Sequence, residues 1–386
     1  MNDRQPFGAD AVIELLTPLV ALNSVNPSLV PGAPGESEIA HWIADWMTGV
    51  GIEAACPMIA PGRYNAIGRL KGSGGGRTLM LNGHIDTVAL GGMEDPLTLR
   101  IDGDRAYGRG AYDMKGSVAA ILLAVRRLTQ QGELRGDVVL ACVADEEYAS
   151  LGTQRLLNAT TADAAVVTEP TGLQVCVAHK GFAWIEIEVE GTAAHGSRPD
   201  QGVDAIGMTG EVLAELNRLN RRLAEVTPHP LLGHASLHAS LIHGGQELSS
   251  YPARCLLQAE RRTLPGETLE EVTTQLHGVL RAVEAREPSF RGTGRVFFWR
   301  DAFGAEPGSF IVQAMLDAAE KVLGAAPDTV GDSPWMDSAY TAAAGIPTVV
   351  FGPGGAGAHS DHEWVSIAQV DQCAQALVHL ARTICA

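Results

Sequence analysis

The chain has 386 residues, 46% of them hydrophobic and 19% charged, with a formal net charge of -17. That length exceeds one ordinary core and suggests two domains, and the apolar content excludes a disordered chain. No basic stripe offsets the acidity, so nucleic acid and anionic membranes are excluded as partners.

The cysteines, at positions 56, 142, 176, 255, 373 and 385, form no Cys-x-x-Cys pair and no regular framework, which reads as reduced cytosolic thiols. Residues 1–8 lack the basic and apolar regions of a signal peptide. No apolar run approaches the roughly 20 residues of a membrane span. A soluble cytoplasmic protein is expected.

Val12, Leu15, Leu16, Leu19 and Leu22 fall at helical spacing after a possible Asp10 cap, with Pro18 expected to bend the helix. A stronger stripe follows in Ile39, Trp42, Ile43, Trp46, Met47 and Val50. Both segments read as amphipathic helices packed on a sheet. The glycine-rich residues 71–76 read as a strand connection, because they lack the Gly-x-x-x-x-Gly-Lys-Ser/Thr pattern of a phosphate loop.

From Thr78 the chain reads as a buried strand that delivers His84 and then Asp86 from its carboxyl end. A metal-binding imidazole usually donates its second N–H to a carboxylate, and His-x-Asp can supply both groups, although a lone histidine is more often structural. Residues 109–117 then lead into an apolar helix at 118–128, where Asp113 either caps the helix or serves a site. The strand at 137–144 runs without polar interruption, as a central strand covered on both faces does, and ends in Asp145-Glu146-Glu147. The pattern appears twice more: Ala164 to Thr168 end at Glu169, and Thr348 to Phe351 lead through residues 352–355 to His359.

Four apolar strands thus finish in His, Asp or Glu. In open α/β sheets ligands sit outside the carboxyl ends of the strands, so donors of oxygen and imidazole gathered there point to a metal centre. Between 178 and 290 the texture changes: Ile185, Ile187 and Val189 alternate with Glu186, Glu188 and Glu190, the mark of a strand with one wet face. A helix at 203–223, strands at 235–242 and 254–262 and a helix at 269–286 follow. The fold class expected is α/β, a mixed, mostly parallel sheet flanked by helices and built from 1–177 and 291–386, with an inserted α+β domain at 178–290.

With these segments assembled, the chain resembles the M20 family of metallo-aminoacylases and exopeptidases, which contains acetylornithine deacetylase and succinyl-diaminopimelate desuccinylase. The likeness rests on Gly83-His84-Ile85-Asp86-Thr87-Val88, Gly108-Arg109-Gly110-Ala111-Tyr112-Asp113-Met114-Lys115-Gly116, Asp145-Glu146-Glu147, Thr168-Glu169-Pro170-Thr171 and Ala358-His359-Ser360, in that order. It implies that Asp113 bridges two divalent ions, one completed by His84 and Glu169, the other by Glu147 and His359. Asp86 would orient His84, and Glu146 would be the general base. A cis peptide is implied at Asp113-Met114. The insertion becomes a lid and homodimerisation domain whose His195 reaches the partner subunit's site, and Arg262 binds the substrate carboxylate. The plainer alternatives are a loop histidine for His195 and a salt bridge to Glu260 for Arg262.

Histidine and carboxylate ligands without thiolate suit zinc, with cobalt or manganese as substitutes. The function implied is removal of the acyl group from an N-acyl amino acid. A metallo-carboxypeptidase or dipeptidase acting on short peptides is the alternative, and a non-catalytic metal- or peptide-binding dimer a third, against which Glu146 speaks. The sequence departs from the family at His362, where Asp or Asn is usual, at Ser249 or Ser250 before Tyr251-Pro252, and at Ser338-Ala339 after Asp337.

Overall fold

Strands Leu79–His84, Val138–Val143 and Ala164–Val167 are buried along their whole length because both of their faces are covered, and they are apolar except for Asn82, Gly83 and His84 at the end of the first. Leu79, Leu81, Leu140 and Val166 face a core shared with helices Ala9–Ala21, Ser37–Gly49, Gly116–Gln130, Phe310–Leu323 and Ile367–Ile384. Met80, Val139, Ala141 and Ala165 face the other way, onto Leu156 and Ile346. Alternate side chains of one strand therefore serve two layers. These observations come from a computed structural model that describes residues 7–132 and 134–386.

The chain divides into two units, the first comprising 1–177, 305–330 and 336–386. Its sheet is parallel at the centre: Leu79–His84 lies between Val138–Val143 and Ala164–Val167, and Thr348–Val350 runs parallel to Ala164–Val167. Ala66–Leu70 and Glu53–Ala55 add antiparallel strands beyond Val138–Val143. Register aligns His84 with Val143 and Val350 with Val167, so the four central strands end at one edge. Every residue that follows those ends is delivered to the same crevice.

The second unit comprises 178–304 and 331–335. The antiparallel order is Ser236–Gly244, Arg254–Thr263, Gly181–Glu190, Arg291–Arg300. Ala183, Ile185, Ile187 and Val189 bury one face against helices Ala205–Glu225 and Leu269–Glu284. Asp204 caps the first helix through the N–H groups of Ile206 and Gly207, and Thr268 with Glu271 forms a capping box on the second.

Two expectations change. The insertion does not end at 290, and the residues returning to the first unit begin at 305 rather than 291, because Arg291–Arg300 pairs with Gly181–Glu190 along the whole strand. Its opening Arg-Gly-Thr-Gly hides the alternation that marks its neighbours. Asp10 lies in the first turn of its helix without capping it, Gly8 taking the cap position. Among the described residues no helix is long and apolar enough to cross a membrane.

Candidate metal centre

His84 closes its strand with 1% of its surface exposed. Its Nδ1 lies 3.0 Å from the backbone carbonyl of Asp86, so Nδ1 carries a proton and Nε2 is the nitrogen turned toward the carboxylates. That Nε2 stands 3.0 Å from Asp113 Oδ1 and 3.8 Å from Glu169 Oε1. The Asp86 carboxylate is 3.6 Å from the ring and has closer partners elsewhere. It accepts the N–H of Glu146 at 3.1 Å, the N–H of Glu147 at 3.2 Å and the Asn26 amide at 2.8 Å. Orientation of His84 thus falls to the Asp86 main chain, and the Asp86 side chain grips the acidic loop after Val138–Val143.

Asp113 occupies the turn Ala111–Lys115, with φ -116 and ψ 90 and a cis peptide to Met114. Helix Gly116–Gln130 begins only after it and receives no side-chain cap, so the capping alternative is not what this aspartate does. Its two oxygens diverge instead: Oδ1 meets His84, and Oδ2 lies 3.3 Å from His359 Nε2. His359 also stands 3.0 Å from Glu147 Oε2. By distance alone His84, Asp113 and Glu147 offer atoms within 4.8 Å of one another, as do His84, Glu146 and Glu169. Each Asp113 oxygen thus has one histidine beside it.

Burial drives the electrostatics. Desolvation raises Glu146 well above the usual carboxylate range, reinforced by the charge of Glu169. Burial, then the charge of Asp113, lifts Glu147 to about 7. Burial lifts Glu169 to about 8 against the opposing pull of His84, and burial lifts Asp337 to about 6. Burial alone would raise Asp113, but hydrogen bonds from His359 and His84 hold it below its ordinary value. His359 is pushed up to about 10 by Asp113 and Glu147, and His84 is raised despite burial by Glu169 and Asp113.

The donor set fits divalent cations. Four carboxylates crowd two imidazoles in a low-dielectric pocket, an excess of negative charge that cations relieve. Glu147 Oε1 is buried without a hydrogen-bond partner. Ligand atoms 3.0–3.8 Å apart match the roughly 3.4 Å edge of a tetrahedron with metal–ligand bonds of about 2.1 Å.

Several supporting residues carry no signal in the sequence. Arg63 binds Glu36, meets Asp145 Oδ1 at 2.9 Å and donates to Asn26 Oδ1 at 3.2 Å. Asn26 in turn donates to Asp86 and Asp145. Nothing in the local pattern around Asn26 or Arg63 announces this buried network, which exists only once four distant segments meet. His362 is exposed, its N–H donating to Ser360 Oγ. His195 and Arg262 lie in the second unit. His195 is exposed on a loop, its Nδ1 2.8 Å from Ser197 Oγ. Arg262 has the Glu260 contact at 3.4 Å, donates to the Ser333 carbonyl and lies over the Phe182 ring.

The sequence profile of peptidase family M20/M25/M40 matches residues 80–383. The chain belongs to that family. As an M20 protein it is a hydrolase of amide or peptide bonds. It is 30% identical to the acetylornithine deacetylase of Photorhabdus laumondii subsp. laumondii, over 97% of each chain. Among solved M20-like folds, aminopeptidase PepT from Bacillus cereus ATCC 10987 superposes with a TM-score of 0.80 at 19% identity, covering 98% of this chain and 100% of the other. The metallo-carboxypeptidase Sso-CP2 from Sulfolobus solfataricus gives 0.77 at 17% identity, with 99% of each chain covered. At such identities these structures support the α/β fold alone.

Proposed function

We propose that this M20 hydrolase is a two-metal deacylase of N-acyl amino acids. The observation that carries the two-metal reading is the divergence of the Asp113 carboxylate, one oxygen toward His84 at 3.0 Å and the other toward His359 at 3.3 Å. Asp113 would bridge, His84 and Glu169 would complete one site, and Glu147 and His359 the other. Zinc suits this donor set, with cobalt or manganese as substitutes. When bound, such a pair would supply Lewis acidity, lowering the pKa of water from about 15.7 toward roughly 7 and polarising a carbonyl.

The chain's own groups supply the rest. Glu146 would hold the proton taken from the attacking water and pass it to the departing amine; its raised pKa, from burial and Glu169, suits a group that must carry a proton near neutral pH. Arg262 would grip the substrate carboxylate with its planar fork. His195 would donate to the tetrahedral oxyanion in the partner subunit's site, in a homodimer formed through the second unit. Among the described residues no cysteine forms a disulfide, which supports a reducing compartment such as the cytoplasm.

Deacylase chemistry is favoured by the likeness to acetylornithine deacetylase along both whole chains. The carboxypeptidase or dipeptidase reading keeps the same site and changes only the substrate. A panel of N-acetyl and N-succinyl amino acids set against dipeptides, assayed with zinc-loaded protein, separates them. The deacylase reading expects kcat/KM about tenfold or more higher for an N-acyl amino acid, and a preference for dipeptides would replace it with the peptidase reading.

A further inference from the structure

Glu363 lies outside the ligand set proposed above, yet it is only 1% exposed and both of its oxygens face the segment that carries Asp113. Oε1 accepts the backbone N–H of Tyr112 and of Asp113, each at 3.0 Å. Oε2 accepts the N–H of Gly110 at 2.9 Å and Nη1 of Arg109 at 2.7 Å. Three main-chain donors and a guanidinium thus fill the acceptor sites of an ionised carboxylate, which offers no donor of its own. Gly110 makes the convergence possible: its φ of 77 belongs to the left-handed region, and a Cβ there would come within 2.7 Å of Thr87 and 3.0 Å of Lys115.

Glu363 also sits four residues after His359. The short segment that supplies one histidine therefore holds, through its last carboxylate, the turn that supplies Asp113. Arg109 is 2% exposed and its charge is met by Glu363 at 2.7 Å. Such a pair is costly to bury and is strongly destabilised when one partner is lost, so its placement at this junction calls for a local purpose beyond packing.

We propose that Glu363, paired with Arg109, is a positioning residue that sets metal affinity by fixing the Asp113 turn against His359. It touches no reacting atom and acts through Asp113. The inference rests on the two-metal reading of the site.

The test is a zinc titration of metal-free protein against a chelating dye, on wild type, Glu363→Gln, Glu363→Asp and Glu215→Gln, with circular dichroism and Tm recorded on each. In Glu363→Gln the amide faces two donors with an NH2 group and cannot accept from them. The expected result is a folded protein whose zinc dissociation constant rises by roughly 10- to 100-fold, as loss of an outer-shell partner typically causes. Glu363→Asp keeps the charge but falls one methylene short, and an intermediate rise is expected. Glu215, buried in the second unit and paired with Arg218 and Arg286, is the control: its loss should lower Tm and leave zinc affinity alone.

Wild-type zinc affinity in folded Glu363→Gln overturns the assignment. So does an equal loss of affinity in Glu215→Gln, which would make the effect one of general stability. If Glu363→Gln does not fold, Glu363→Asp decides by the same criterion, and failure of both to fold makes Glu363 a residue of fold stability and overturns the proposal. A wild-type protein that binds no zinc defeats the metal-centre reading itself, a different outcome from wild-type binding with an unaltered variant.

Discussion

The backbone N–H of Glu146 donates to Oδ1 of Asp86 at 3.1 Å. The aspartate two residues beyond His84 is thereby bonded to the proposed base, and the neighbouring Glu147 N–H reaches its other oxygen at 3.2 Å. Two strand ends are tied by one carboxylate, so the positions of His84, Glu146 and Glu147 are set together rather than singly.

Glu146→Gln should keep the fold and the bound metal while removing the proton carrier. Turnover of the best substrate should fall by roughly a hundred- to ten-thousand-fold. Metal content by atomic emission together with kcat checks this, and unchanged turnover removes Glu146 from the mechanism.

Metal uptake should release protons. In the metal-free cluster the His359 pKa is raised to about 10, Glu169 to about 8 and Glu147 to about 7, so these groups retain protons that a cation must displace. Raised pKa values mean that protons compete most at low pH; affinity therefore climbs from below about 7 up to about 10 and declines on acidification. Calorimetric titrations in two buffers of different ionisation enthalpy measure the protons released, and a count of zero would contradict the ligand set.

Asn26 is fully buried, donating to Asp86 at 2.8 Å and Asp145 at 3.0 Å and accepting from Arg63 at 3.2 Å. Asn26→Leu leaves these charged groups short of a partner and should cost about 2–3 kcal/mol. A urea midpoint indistinguishable from wild type would show that the network is not the support described here.

If His195 acts across a dimer, His195→Ala and Glu146→Ala proteins, each nearly inactive, should regain part of the activity when mixed. One subunit of the mixed dimer then holds an intact Glu146 and receives an intact His195. Mass spectrometry establishes that subunits have exchanged, and no recovery after exchange rules out the arrangement in trans.

Much of this was readable in the order of residues. A strand buried on both faces is mostly apolar, so 137–144 announced itself, and acids placed straight after such strands announced a crevice; the alternation at 185–190 likewise announced a strand with one covered face, whereas Arg291–Arg300, whose opening hides that alternation, stayed concealed. The sequence alone also settled which donors are available, since side-chain chemistry does not depend on the fold. It could not settle which atoms meet. Whether Asp113 caps a helix or lies between two histidines, whether Asp86 serves His84 or the Glu146 loop, and that Glu363 closes on the turn 253 residues earlier in the case of Gly110 were decided by register and turn geometry, because hydrogen bonds act over about 3 Å while the partners stand tens to hundreds of residues apart along the chain.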